Sequence, residues 1–521
     1  MEPVIPKYFN IAGPCIPGEH YMLPAVDRLP EARKLVERKQ YFVIHAARQS
    51  GKTTILRALT REINAEGQHY ALYCSLEALQ EVREAEKGSA SLLSVLKLAL
   101  KRSFVQKLRE QQPESPDSNP SVAVGMSLMN LCLALDKPLI LFLDEADCLS
   151  GQLLITFLRQ LRDGYVNRDA APFPWSIALV GMRDIRDFKA RVRPDSETLG
   201  SASPFNIITE ALTLGNFTSE QVAALYRQHT EATGQIFEPG AVERAWYWSE
   251  GQPWLVNALA RQVVEKDLKQ DYSLPVTAGH IDGAADALMK RRDTHIDSLL
   301  ERLKESRVRR VIEPMLSGAE NEVSLLHDDT KFCLDLGLVR ADAAGMLKPA
   351  NPIYREVIIR ALTYDVQALL PASLINRWMD GKRLDLTALL AAFQQFWREN
   401  ADIYLRKGGY LEAVPHLVLQ AFLQRVVNGG AELAREFALG RGAADVSVRY
   451  AGRSYLLELK LAGREPLERS LAQTAGYMDV AGAREAWLVI FDRDAGKTWE
   501  EKIFRRDETL PDGRTVHVVG C

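Results

Sequence analysis

Ala46-Ala47-Arg48-Gln49-Ser50-Gly51-Lys52-Thr53-Thr54 is the stretch on which the reading of this chain turns. Before it runs Tyr41-Phe42-Val43-Ile44, short, apolar and partly β-branched, as in a buried strand. After it, Ile55, Leu56, Leu59 and Ile63 recur at helical spacing. Strand, tight loop and helix in that order let loop N–H groups and a helix N-terminus face a polyanion. Lys52 then reaches the β- and γ-phosphates of a nucleoside triphosphate, and the Thr53 hydroxyl ligates Mg²⁺. The expected ATP contacts are therefore Arg48, Gln49, Ser50, Gly51, Lys52, Thr53 and Thr54. The pattern G-x-x-x-x-G-K-[ST] has Ala46 where glycine is usual, which costs something where φ is positive.

Downstream, Pro138-Leu139-Ile140-Leu141-Phe142-Leu143-Asp144-Glu145-Ala146-Asp147 is an unbroken apolar run ending in acids. It describes a central parallel strand that delivers carboxylates to the edge of the sheet where the phosphate loop lies. Asp144 is expected to hold Mg²⁺ through water, and Glu145 to orient or deprotonate the attacking water. A further strand, Ser176–Gly181, leads to Arg183, placed to sense the γ-phosphate. Arg191 or Arg193 could act in trans as an arginine finger, or be solvated surface charge.

Composition sets the bounds. At 521 residues the chain has room for three or four domains, with 47% hydrophobic and 26% charged residues. The formal net charge of -3 excludes a global positive field, so a nucleic-acid partner would meet local basic patches. Six scattered cysteines without a C-x-x-C pair point to a reducing compartment. No run approaches the ~18 apolar residues of a membrane span, and no signal-peptide core is evident; the expectation is a cytoplasmic protein without a membrane partner.

The expected organisation is an N-terminal segment (1–40) packed on an ATPase core (41–215), a helical lid (216–299), a winged-helix-like module (300–365), a helical linker (366–410) and a C-terminal domain (411–521). In the module, a basic helix from Arg302 to Arg310 offers Arg307, Arg309 and Arg310 for DNA contact or for packing.

The C-terminal domain holds a second constellation. Ala413 to Val427 reads as a helix, and Glu436–Leu439 as a short strand followed by the turn Gly440-Arg441-Gly442. Two strands then form a hairpin, Ala444 to Tyr450 and Ser454 to Leu461. A period of two puts Glu458 and Lys460 on one face and Leu457, Leu459 and Leu461 on the other. Asp445 on the partner strand can approach Glu458. Two carboxylates and an ammonium on one patch suit a Mg²⁺ site that activates water. A helix from Leu467 brings Gln473 and Tyr477 to one face, and the strand Ala486–Phe491 follows.

Helix, three antiparallel strands, helix and strand, carrying D…E-x-K…Q, resembles the PD-(D/E)XK nucleases. Nearly end to end, the chain resembles a bacterial family of AAA-like P-loop ATPases fused to such a domain. The resemblance is carried by Tyr8-Phe9-Asn10-Ile11-Ala12-Gly13-Pro14-Cys15, Arg48 to Thr53, Ser203-Pro204-Phe205-Asn206-Ile207, Asn351-Pro352-Ile353-Tyr354-Arg355-Glu356 and His517-Val518-Val519-Gly520-Cys521. It implies a multidomain α/β protein with catalytic Glu145, Asp445, Glu458, Lys460 and Gln473. It also implies Mg²⁺, or Mn²⁺, at Asp445 and Glu458. The acid usually supplied by the first nuclease helix falls to Glu412, or to Glu436. The family's nuclease turn usually reads Gly-Arg-Gly-Arg; here Ala443 replaces the second arginine. The expected protein is a homo-oligomer acting on nucleic acid, DNA in preference to RNA, with ATP controlling phosphodiester cleavage, in a defence or mobile-element setting. The alternative is a nucleotide-switched scaffold whose C-terminal fold binds without cutting. A helicase would need a second motor domain, which the sequence lacks.

Overall fold

The computed structural model describes residues 7–521 apart from 81, 83, 113–118, 150, 183–203, 292–293, 317–327, 344, 370–377, 379–381, 408–413, 428–431, 436–444 and 495. The chain divides into two units, residues 1–290 with 335–337, and residues 291–334 with 338–521.

In the first unit five strands, β1 (Tyr41–His45), β2 (Tyr70–Ser75), β3 (Leu139–Asp144), β4 (Ser176–Gly181) and β5 (Ile208–Thr213), form a parallel sheet in the order β2-β3-β4-β1-β5. β3 and β4 are buried at every position, so their side chains are apolar on both faces rather than alternating. Helices Ala85–Lys101, Ala123–Ala134 and Gly151–Val166 cover one face, where Leu96, Leu128 and Phe157 meet Val43, Leu141 and Leu179. Helices Pro30–Glu37 and Lys52–Glu66 cover the other, with Leu35, Leu56 and Ile63 against Phe42, Ile44 and Ile140. This doubly covered sheet puts the C-terminal ends of its strands in one crevice.

Four helices follow, Ser219–Thr233, Pro239–Ser249, Pro253–Arg261 and Ala278–Lys290. The first opens on a capping box in which the Thr218 side chain accepts from the Gln221 N–H and the Gln221 side chain accepts from the Thr218 N–H. The third runs on into a π-helical turn, Gln262–Asp267. Near the N-terminus, Phe9 packs against Tyr21, Tyr226, His229 and Phe237. The Trp254 indole N–H donates to the Ile11 carbonyl at 2.8 Å, and the Cys15 N–H to Thr54 Oγ1 at 3.0 Å. The N-terminal segment thus touches both the helices 219–290 and the helix after the phosphate loop.

The second unit begins with helices Thr294–Arg302, Ser306–Leu316 and Asp328–Asp335 and a hairpin of β6 (Val339–Ala341) and β7 (Leu347–Pro349). The basic run expected as one helix from Arg302 to Arg310 is broken: one helix ends at Arg302 and the next starts at Ser306. Arg307 and Arg310 both bind the Asp329 carboxylate, at 2.7 and 2.6 Å. The carboxylate lies below its usual range; burial opposes this and the two arginines prevail. These two arginines hold the helix Asp328–Asp335, Arg307 largely covered and Arg310 with 59% of its side chain exposed.

The remainder is a six-stranded mixed sheet, β8 (Glu432–Arg435), β9 (Val446–Tyr450), β10 (Arg453–Leu461), β11 (Glu485–Phe491), β12 (Phe504–Thr509) and β13 (Thr515–Gly520), ordered β12-β13-β11-β10-β9-β8. β8, β9 and β10 are antiparallel neighbours, and β11 runs parallel to β10. Helices Leu386–Lys407 and Val414–Val427 cover the face bearing Leu457, Leu459 and Leu461; Leu467–Ala481 covers the face bearing Leu456, Leu488 and Val518. The strand expected at Glu436–Leu439 lies outside the described residues, and the described strand β8 ends at Arg435, directly before it. The described part of its ladder runs from Glu432↔Arg449 to Arg435↔Val446. Residues 436–444, with Glu436 and the turn Gly440-Arg441-Gly442, lie outside the described residues.

Candidate functional sites

The phosphate loop takes its shape from two left-handed residues, Gln49 at φ 58° and Gly51 at φ 92°, before the helix starts at Lys52. Gly51 carries this conformation without the steric cost a Cβ would bring. The Ala46 variation involves no positive φ, since neither Ala46 nor Ala47 has one. The Lys52 ammonium donates to the carbonyls of Ala46 and Ala47 at 2.9 and 3.0 Å, inside the concavity of the loop. Burial lowers its pKa; the neighbouring Glu145, Asp144 and Asp147 act the other way. Thr53 Oγ1 donates to Asp144 Oδ2 at 2.7 Å, so the hydroxyl and the strand-end carboxylate converge on one point.

Side chains that the sequence did not single out complete this site. The Tyr73 hydroxyl, from the end of β2, also donates to Asp144 Oδ2 at 2.9 Å. Asp147 accepts the Met182 N–H at 3.0 Å, while its Oδ1 is buried without a hydrogen-bond partner among the described residues. Arg28 donates from Nη2 to the carbonyls of Gly215 (2.8 Å) and Ser50 (3.5 Å), stacks at 4.4 Å on Phe217, and is pushed down to about 10 by burial. Glu145, itself left-handed at φ 56°, has a carboxyl pushed up to about 7, by burial first and then by Asp144 and Asp147. Gln49 and Thr54 serve the loop through other bonds: the Gln49 carbonyl accepts from Gln252, and Thr54 from Cys15. Ser50 is buried, and Arg48 bears on Lys52 as a like charge. Arg183, Arg191 and Arg193 lie outside the described residues. The hydroxyl of Thr53 beside the Asp144 carboxylate, with a lysine in the loop, is a donor set that fits Mg²⁺ and a triphosphate.

In the second unit, register decides the site. Val446 pairs with Leu457, so Asp445 enters β9 beside Glu458 of β10, and Asp445 Oδ2 accepts the Leu459 N–H at 2.8 Å. Asp445 and Glu458 are both buried. Burial raises both carboxyls, Asp445 well above its ordinary range, with Glu458 adding to it; on Glu458 the Lys460 ammonium opposes the rise. Lys460 donates to Glu458 Oε1 at 2.9 Å, to Glu465 Oε1 at 3.0 Å and to Gln473 Oε1 at 2.9 Å. Burial lowers its pKa, but the acids outweigh it and the ammonium is held protonated. Gln473 in turn donates to the Tyr477 hydroxyl. Glu465 is the residue the sequence reading missed; it lies just before the helix, accepts from Ser470 at 2.9 Å, and its role shows only through contacts between elements. Glu458 Oε2 is buried without a hydrogen-bond partner among the described residues, an orphaned anionic oxygen that fits a divalent cation. Glu412 lies outside the described residues.

A five-stranded parallel sheet with a phosphate loop after β1 and acids at the end of β3 defines a P-loop NTPase fold. The comparisons agree: the family model described as an AAA domain matches residues 34–188, and this region is an AAA-type P-loop ATPase domain. Among solved structures, the chain is similar to a Walker-type ATPase of Pyrococcus abyssi at 15% identity and a TM-score of 0.47, covering 67% of this chain and 99% of that one. It is also similar to the Aeropyrum pernix ORC1 protein in complex with DNA (15%, TM-score 0.36, 67% and 95%). A third is the Thermotoga maritima RuvB Holliday junction branch migration motor (14%, TM-score 0.34, 62% and 90%). No curated protein matches. Among the described residues no helix is long and apolar enough to cross a membrane.

Proposed function

We propose that the ATPase unit governs a metal-dependent phosphodiesterase in the C-terminal unit, and that the substrate is nucleic acid, DNA in preference to RNA. The observation that carries the reading is the set Asp445, Glu458 and Lys460 on adjacent strands, with Gln473 on the covering helix. Asp445 and Glu458 would hold Mg²⁺ or Mn²⁺, which supplies Lewis acidity towards a phosphate oxygen. Lys460, kept protonated by Glu458 and Glu465, presents a fixed positive charge to the phosphorane. Gln473 fixes the direction of that ammonium, and Tyr477 fixes Gln473. In the ATPase unit, Lys52 holds the terminal phosphates, Thr53 and Asp144 the Mg²⁺, and Glu145 takes the proton of the attacking water. Homo-oligomer formation and an arginine supplied between copies belong to the same proposal.

The test is cleavage of plasmid, linear, single-stranded DNA and RNA with Mg²⁺ or Mn²⁺, with and without ATP, against the double variant Glu458→Ala/Lys460→Ala. Cleavage that vanishes in the variant supports the reading. Cleavage that survives in it removes these residues from the reaction. Cleavage unaltered by ATP and by Lys52→Ala ends the idea of control. A protein that binds ATP and cuts nothing would be the nucleotide-switched scaffold.

A further inference from the structure

The ATPase unit has an open cleft of about 1020 Å³ that starts at Thr53, Asp144 and Glu145 and runs outward over the edge of β2. Its walls are the outer face of the helix Lys52–Glu66 and the end of the helix Ala85–Lys101. Arg57 and Arg61, one turn apart on the first helix, and Arg102 at the end of the second line it. Among the described residues none of the three is in an ion pair; Arg57 sits 5.2 Å over the Tyr73 ring and Arg61 5.8 Å from the Phe104 ring. Phe104 is 85% exposed, the largest exposure of any large apolar side chain described, and Leu98 beside it is 45% exposed. The acids of the cleft, Asp144, Glu145 and Glu77, gather at its nucleotide end.

Three uncompensated guanidiniums with an exposed aromatic ring answer to one chemistry, a flexible polyanion with flat bases. Cations follow the backbone of a single strand, and an aromatic side chain takes the face of an unstacked base. A double helix does not offer an unstacked base, and a lone phosphate leaves Phe104 without a role. We propose that this cleft binds single-stranded nucleic acid, with Arg57, Arg61 and Arg102 on phosphates and Phe104 stacked on a base. The strand then ends beside Glu145, and Arg57 lies over Tyr73, which itself holds Asp144. The nucleotide and the strand therefore meet at one carboxylate. This site is separate from the C-terminal cluster and does not depend on its being a nuclease.

The experiment is fluorescence anisotropy of labelled oligo(dT) of about 12 nucleotides with the full chain carrying Glu458→Ala, which prevents cleavage from entering the reading. Phe104→Ala is expected to weaken binding roughly 10-fold, the scale of one lost base stack. Arg102→Glu is expected to weaken it further, and to flatten a salt dependence whose slope for three phosphate contacts is about -2. Thermal melting verifies that both variants fold. A second readout is Phe104→Trp, whose added indole emission should be quenched by oligo(dT). Equal affinity in wild type and Phe104→Ala/Arg102→Glu, or no binding at all, overturns the proposal. So does a loss of self-association in that variant with oligo(dT) binding intact, which would make the cleft a seat for a second copy.

Discussion

Asp445→Asn is expected to make the C-terminal unit more stable while removing its divalent cation site. Two buried carboxyls face each other there, one oxygen of Glu458 has no partner among the described residues, and both groups titrate above their ordinary range. Unfolded carboxyls ionise near pH ~4. Because the folded values are higher, the folded state is favoured at low pH and loses stability as pH rises through them. An asparagine keeps the carbonyl oxygen that accepts the Leu459 N–H and removes the negative charge. Relieving one poorly compensated buried group is worth on the order of 1–3 kcal/mol, and a unit of this size gains roughly 2–4 °C in melting temperature per kcal/mol. The assay is calorimetry of the full chain at about pH 8 and about pH 5, with and without Mn²⁺. The variant should melt higher, by more at the higher pH, and should lose the further rise that Mn²⁺ gives the wild type. A lower melting temperature for Asp445→Asn at the higher pH would refute the charge argument. A Mn²⁺ response equal to that of wild type would refute the assigned ligand.

Other outcomes follow from the same geometry. ATP hydrolysis by the wild type should rise with pH through about 7 as Glu145 deprotonates, and Glu145→Gln should bind ATP but hydrolyse it slowly with that limb absent; a normal rate in the variant would show that Glu145 is not the base. Asp329→Asn releases Arg307 and Arg310 together, and with Arg310 well exposed the loss is about 1–3 kcal/mol, read in urea unfolding. Since the folded Asp329 value is depressed, this stabilisation is present above the ordinary aspartate range and disappears as pH falls through the folded value; no change on acidification would contradict it. Glu465→Gln should leave cation binding intact but loosen Lys460, lowering the cleavage rate with little change in substrate affinity, whereas a pure affinity loss would exclude that positioning role. Gly251→Ala should disrupt the helices after residue 218, because φ is +71° there and a Cβ would meet the Phe217 carbonyl oxygen at 1.9 Å; an unchanged melting profile would argue against this crossing.

What the sequence displays is what lies close together along it. The run from Tyr41 to Glu66 holds strand, loop and helix within one stretch, and the Leu139–Asp144 strand carries its acid at its own end. The alternation of β10 likewise tells Glu458 from Leu459. Partnerships across elements have no such trace. Tyr73 reads as an ordinary strand residue until β2 is seen beside β3, and Glu465 as a turn residue until the helix after it folds over Lys460. The basic run at 302–310 shows its charge but not that Asp329, more than a helix away, takes up two of its arginines.

Arg28 gives one of these cross-element contacts a mechanical meaning. One nitrogen serves two carbonyls: Ser50 in the phosphate loop, at the longer distance, and Gly215 at the exit of β5, at the shorter. With two N–H bonds on that nitrogen, the side chain ties the loop to the end of β5. The chain immediately beyond Gly215 leads through Phe217, which the same guanidinium covers, into the helices 219–290. The phosphate loop and the root of those helices are thus fastened to one side chain.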